Sequence, residues 1–238
     1  MTLRISDFGV DAVLVTLGDH LTDEANRAAL ALRTAIEAAS LTGVEEVSTS
    51  LVSVVVRYDP GAVERAVLLA RLEALSHQQD GSGASSPQTA RLWDVPCVFG
   101  TDLAPQLSEA AALAGLTPED AIASLTARPV RVQTIGFAPG QPYLGLLDPA
   151  WNIPRQTTLT PQVPVGAVTV AIRQIVLFSV PSPTGWRHVG QTALRLFDPE
   201  RADPFLLRAG DEILFRAVDR AGLENARANG GARVIPWR

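Results

Sequence analysis

The chain has 238 residues, 47% of them hydrophobic, and a formal net charge of -5. That is enough apolar material for one large core or two small ones, and an acidic chain without a basic cluster offers nucleic acid no electrostatic footprint. All 20 cationic residues are arginines, which excludes a Walker A lysine, a Schiff-base lysine, a lysine general base and a biotinylated lysine on this chain.

The opening, MTLRISDFGVDAVLVTLGDH, lacks a basic segment followed by an apolar run and a small-residue cleavage site, and no apolar run approaches about 18 residues. A cytoplasmic protein without membrane association is the expectation. VDAVLVTL (residues 10–17) carries the β-branched alternation of a strand. Asp23 and Glu24 then open a helix that ends near Gly43, since acids favour the positive N-terminal end and glycine the C-terminal cap. VEEVSTSLVSVVVRYD (44–59) predicts two strands folding back near Thr49 and Ser50. Asp59 and Pro60 predict a second helix, with Asp as N-cap and Pro in the first helical position. The order βαββα makes residues 1–80 a small α+β domain.

From His77 to Ala90, HQQDGSGASSPQTA abandons apolar periodicity, so a linker over 81–90 separates that domain from residues 91–238. WDVPCVFG then reads as a strand, and a helix follows near Leu103 to Ala114, stopped by Gly115. At TPED, Thr117 caps the next helix, Pro118 takes its first position and Asp120 completes a capping box. From Val130 onward VRVQTIGF, VGAVTVAI, IVLFSV, WRHVGQTALRLF and DEILFRAV read as short strands between Pro and Gly turns, a barrel or a sandwich. GFAPGQPYLGLLDP, residues 136–149, is too rich in breakers for a helix or a central strand and too apolar for an ordinary loop.

Metal, nucleophile and dinucleotide signatures are missing. His20, His77 and His188 have no ligand spacing, Cys97 has no CxxC partner, and neither GxSxG nor a strand-to-helix GxGxxG occurs. Cys97 reads as a packed small hydrophobe, Asp198 and Asp203 as turn caps, and Asp211 with Glu212 as a solvated turn before a strand.

GFAPGQPYLGLLDP, followed by VPVGAV, SPTGW, VGQTALRLFDP and LLRAGDEILF, resembles in order the patterns of the family that holds KipI, allophanate hydrolase subunit 1 and the B subunit of 5-oxoprolinase. VDAVLVTLGD and VRYDP extend the resemblance into the first half. It implies an N-terminal α+β domain followed by a mostly β, cyclophilin-like barrel. It also implies a partner, a subunit 2 homologue (KipA-like, the C subunit of 5-oxoprolinase), and a third subunit where the complex is a 5-oxoprolinase. Such a complex uses ATP; no cofactor or metal is expected on this chain. The alternative within the family is a noncatalytic KipI-like inhibitor of a sensor histidine kinase.

The resemblance places a ligand pocket at Gly140, Gln141, Tyr143, Arg155, Gln174 and Gln191, with His188 as the proton-transfer group. The chain departs from the family at its polar positions. Thr160, Gln162 and Gln191 stand where arginines are expected, and Leu113 and Leu125 where histidines are. Each lost guanidinium removes a bidentate donor worth roughly 1.5–3 kcal/mol toward a carboxylate, so a less anionic ligand than the family's is expected.

Limited proteolysis should cut first between residues 81 and 90. A first cut between residues 163 and 180 would overturn that boundary.

Overall fold

The computed structural model describes residues 3–81 and 91–236, which fall in two units, Met1–Ala90 and Arg91–Arg238. In the first, β1 (Arg4–Asp7), β2 (Ala12–Thr16), β3 (Val44–Ser50) and β4 (Ser53–Tyr58) form an antiparallel sheet of order β1-β2-β4-β3. Alternate residues Val13, Val15, Val54, Val56 and Tyr58 leave the sheet on one side. They bury against Ala29, Leu32 and Ile36 of α1 (Asp23–Ala39) and Leu68 and Leu72 of α2 (Arg65–Gly81).

Several boundaries differ from expectation. Helix α1 is capped by the Thr22 hydroxyl, which accepts from the Ala25 N–H at 3.1 Å, and stops at Ser40, whose φ of 44° supplies the left-handed cap assigned above to Gly43. Gly43 is needed instead for close approach, because a Cβ there would lie 2.7 Å from Val63. The β3–β4 hairpin turns at Leu51 and Val52, between the paired Ser50 and Ser53, just beyond Thr49 and Ser50. Asp59 caps no helix: its carboxylate accepts from Gly61 N–H at 2.8 Å in an Asx turn, and α2 begins only at Arg65. Helix α2 also continues through His77–Gly81, where composition predicts a linker. Residues 82–90 lie outside the described residues. Strand β1 has no counterpart among the predicted elements.

The second unit contains β5 (Leu92–Phe99), α3 (Leu107–Leu113), α4 (Pro118–Thr126), β6 (Val130–Ile135), β7 (Pro142–Gly145) and a 3-10 turn at Pro149–Trp151. Then come β8 (Thr160–Val163), β9 (Ala167–Ala171), β10 (Gln174–Leu177), β11 (Ser182–Thr184) and β12 (Arg187–Thr192). β13 (Glu212–Ala217), α5 (Arg220–Ala228) and β14 (Arg233–Ile235) complete it. Seven strands run in the order β12-β9-β10-β7-β6-β13-β5, and β12 pairs with β5 to close them. The fold is therefore a closed β-barrel and not a sandwich. β14 pairs with the first half of β5, leaving the second half for β12.

Trp93, Val95, Cys97 and Phe99 of β5 face the interior with Val168, Val170, Ile175, Leu177, Ile213 and Phe215, and α3 and α4 add Leu107, Ala110 and Leu125. Burial pushes the Cys97 thiol far above its ordinary pKa, as a packed hydrophobe requires.

The segment 136–149 contains a central strand after all, since β7 lies between β10 and β6. Pro142 is tolerated because it is the first strand residue. Helix α3 starts at Leu107, later than Leu103, after a run of turns through Pro105; β12 ends at Thr192, and α5 and β14 have no counterpart among the predicted elements.

Asp211 is the largest correction. It is 2% exposed and accepts five hydrogen bonds. Arg91 donates from its backbone N, from Nε at 3.2 Å and from Nη2 at 2.6 Å, Trp93 from Nε1 at 3.2 Å, and Arg208 from its backbone N at 3.0 Å. A carboxylate so placed is structural: it locks the entry of β5 to that of β13, the parallel pair of the barrel. Asp211→Ala should cost about 3–5 kcal/mol, because it strands a partly buried guanidinium and an indole N–H. Urea unfolding measures this, and a loss under about 1 kcal/mol would refute the role.

Candidate functional site

The polar residues singled out in the sequence lie on the outer face of the barrel wall made by β12, β9, β10 and β7. Residues Tyr143, Val176, Thr169 and His188 form one cross-strand row, and Gly145, Gln174 and Ala171 the next. This wall is buried on both sides. Inside are Val168, Val170, Ile175 and Leu177; outside, Ala167, Ala171 and Val176 pack with Val163, Phe178 and Trp186.

Two β-bulges decide which polar side chains meet. In a regular strand His188 and Gln191, three apart, would point to opposite faces. The register shift between His188 and Gly190 inserts a residue, so both point outward while Gly190 turns in, where a Cβ would lie 2.6 Å from the Cys97 Sγ. A second shift, between Val132 and Thr134, lets Gln133 reach across to Gln174, whose Nε2 donates to its Oε1 at 3.0 Å. Arg131, paired across β7 at Gly145, shares that wall.

His188 is 5% exposed, and its Nε2 has no hydrogen-bond partner among the described residues. Burial lowers its pKa from the ordinary value, opposed by the Gly190 backbone and the Gln191 side chain. The imidazole is therefore neutral near pH 7. Gln191 spends its amide nitrogen on the Val165 and Thr192 carbonyls, at 2.8 and 2.9 Å, and its Oε1 is buried without a partner among the described residues.

Three residues that the sequence did not single out as binding groups complete this end of the wall. Gln106 Oε1 accepts from the His188 backbone N–H at 2.9 Å, while its Nε2 donates to Gln156 Oε1 at 2.7 Å. Gln156 Nε2 in turn donates to the Trp186 carbonyl at 3.2 Å and to the Thr160 hydroxyl at 3.3 Å. Gln106 precedes a helix and Gln156 lies in a loop, so no local pattern distinguishes them; only the barrel brings both to β12. Arg155 is exposed beside the Gly185 turn and has no ion-pair partner among the described residues.

The predicted residues are thus divided. His188, Gln191, Trp186 and the Gln106–Gln156–Thr160 chain cluster, with Arg155 at the rim. Gln174 and Tyr143 lie toward β7, and two intervening strands put the Tyr143 backbone about 14 Å from that of His188. Trp186 spans part of the gap, its ring edge-on to Tyr143 at 6.3 Å. Gly140 serves packing: with φ +71° it approaches the Leu196 carbonyl, which a Cβ would meet at 2.8 Å. Gln141 is buried at the same turn with its Oε1 unpartnered. Leu125, where a histidine was expected, is core, and Leu113 is exposed. Among the described residues no three His, Cys, Asp or Glu side chains are grouped to hold a metal ion, and no helix is long and apolar enough to cross a membrane.

Residues 3–207 match the family described as carboxyltransferase domain, subdomain C and D. The B subunit of 5-oxoprolinase from Bacillus subtilis (strain 168) is 30% identical over 224 residues, covering 90% of this chain and 93% of that one. The crystal structure of TTHA0988 superposes with a TM-score of 0.73 at 32% identity, over 92% of this chain but 40% of that one. The urea amidolyase of K. lactis matches in fold, with a TM-score of 0.74 at 19% identity, over 98% of this chain and 16% of that protein.

The unfolded chain takes up the His188 proton more readily than the folded one. Stability contributed by the neutral imidazole is present above the unfolded value of about 6.5 and is lost as pH falls through the folded pKa. Between about pH 7 and pH 5 the wild type should lose more stability than His188→Gln. Parallel urea-stability curves for the two would overturn the burial argument.

Proposed function

The chain belongs to the family of the carboxyltransferase domain, subdomain C and D, and on that premise we propose that it is the B-type subunit of an ATP-dependent, 5-oxoprolinase-like complex that hydrolyses a small lactam or amide in the cytoplasm. The observation that carries this reading is the 30% identity to the B subunit of a 5-oxoprolinase across 93% of that protein. Its partner is a subunit 2 homologue (KipA-like, the C subunit of 5-oxoprolinase), joined by a third subunit.

The side chains of the wall support a division of labour. Hydrolysis driven by ATP needs groups that hold phosphates and activate a nucleophile, whereas this wall offers mostly amides, the hydroxyls of Tyr143, Thr160 and Thr169, one imidazole and the Arg131 guanidinium, and among the described residues no three His, Cys, Asp or Glu side chains are grouped to hold a metal ion. Chemistry on the phosphates then falls to the partners, and this chain binds and orients the organic substrate. Arg155 anchors its carboxylate, the Gln106–Gln156–Thr160 chain meets its amide, Trp186 bounds its apolar side, and His188 exchanges a proton at Nε2 once the partner opens access to it. With glutamine and threonine at the expected arginine positions, the carboxylate contributes less to binding here than Arg-rich family sites provide, and the neutral amide of 5-oxoproline is accepted as well.

The complex co-purified through a tagged subunit 2 homologue should cleave 5-oxoproline or its amide only with ATP. Arg155→Ala should raise KM for the carboxylate roughly 10- to 100-fold and leave the amide unaffected. No turnover by the assembled complex, together with inhibition of a sensor histidine kinase by the chain alone, would replace the enzymatic reading with the regulatory one.

A further inference from the structure

A second polar site lies on a different part of the barrel wall and shares no residue with the His188 cluster. Asp94, on the outer face of β5, is 5% exposed and is held by two arginines. Arg216 of β13 donates from Nε at 3.0 Å and Nη2 at 3.4 Å, and Arg233 of β14 from Nε at 3.0 Å. Here one buried carboxylate faces two guanidiniums, so this trio carries one positive charge in excess.

Both guanidiniums are fixed through their Nε edge, so among the described residues most of their terminal N–H groups have no acceptor, and their side chains stay 52% and 74% exposed. They border an open pocket of about 510 Å³, within the roughly 300–1,000 Å³ of small-molecule sites. The opposite side is one face of α5, where Gly222, Asn225 and Asn229 recur at helical spacing. Asn229 Nδ2 donates to the Asn225 carbonyl and side-chain oxygens at 2.8 and 3.0 Å, which orients both amides and leaves Asn225 Nδ2 as a donor and Asn229 Oδ1 as an acceptor. Pro96 and Val218 supply apolar lining.

We propose that this pocket binds a small monocarboxylate bearing an amide or hydroxyl group, its carboxylate on Arg216 and Arg233 and its neutral polar end on Asn225 and Asn229. One carboxylate cancels the unmatched charge and accepts from both planar forks. A dianion such as phosphate leaves a net negative charge beside the buried Asp94. Asp94 thus positions the arginines, and its near-complete burial keeps them from swinging to solvent.

The test uses the full chain without partners and is independent of its catalytic role. N-acetylglycine, its neutral amide N-acetylglycinamide and inorganic phosphate are titrated by calorimetry and by backbone amide chemical shifts. The expected result is saturable binding of N-acetylglycine with shifts at Asn225 and at residues 231–233, at least tenfold tighter than either other probe. Arg233→Gln and Arg216→Gln should each weaken it at least tenfold with an unchanged thermal midpoint. Absent or equal binding of the three probes, shifts elsewhere, or full affinity in a folded Arg233→Gln would overturn the proposal; if Arg233→Gln unfolds, a folded Arg216→Gln decides alone.

Discussion

The barrel depends on a buried carboxylate. Asp211 holds Arg91 and Trp93 at the entry of β5 and the Arg208 backbone ahead of β13, fixing the register of two strands that are 120 residues apart and run in parallel. Parallel neighbours cannot be joined by a tight hairpin, so their alignment must come from a long-range contact. Once β5 is set, its remaining edge accepts β14 along one half and β12 along the other, and the second of these pairings closes the cylinder. Removing water from the carboxylate is costly, and five donors offset that cost. The same fixed strand carries Asp94 outward and Cys97 inward, so the second polar pocket and the core share one register.

The polar wall owes its composition to irregularities in that cylinder. Regular alternation along β12 would turn Gln191 into the apolar interior, where an unpaired amide costs roughly 1–3 kcal/mol. The bulge in β12 returns it to the face of His188 at the expense of ladder hydrogen bonds, and the bulge in β6 inserts Gln133 on that face beside Gln174. Apart from the Arg131 guanidinium the face is made of neutral side chains, and among the described residues no donor meets its buried acceptors Gln191 Oε1 and Gln141 Oε1. Unsatisfied buried groups of this kind mark places where a ligand, water or partner is accommodated. That agrees with a chain that contributes binding and orientation to a larger assembly.

Much of this was legible in the linear pattern because it is local. Strand alternation in residues 10–17 and 53–58, the Thr117-Pro118 helix start, the turns at Asp198 and the ordered motifs from Gly136 to Phe215 are set by near neighbours and by steric rules that hold in any context. These suffice for an α+β unit followed by a mostly β unit, for the exclusion of lysine chemistry, and for naming His188, Gln174 and Arg155 as residues to examine.

Tertiary structure decided what depends on distant residues. Pro142–Gly145 became a central strand because β6 and β10 offered it two partners, although its own composition argues against a strand. Asp211 became a buried anchor because Arg91, 120 positions away, returned beside it. Gln106 and Gln156 became parts of one polar chain, and Gly140 became a packing position, through neighbours that are remote in sequence. Local sequence determines which conformations and chemical groups are available to each segment; which of those groups end up facing one another is set by the closure of the barrel and the inserted residues of its bulges, because pairing register is a property of two strands and not of either alone.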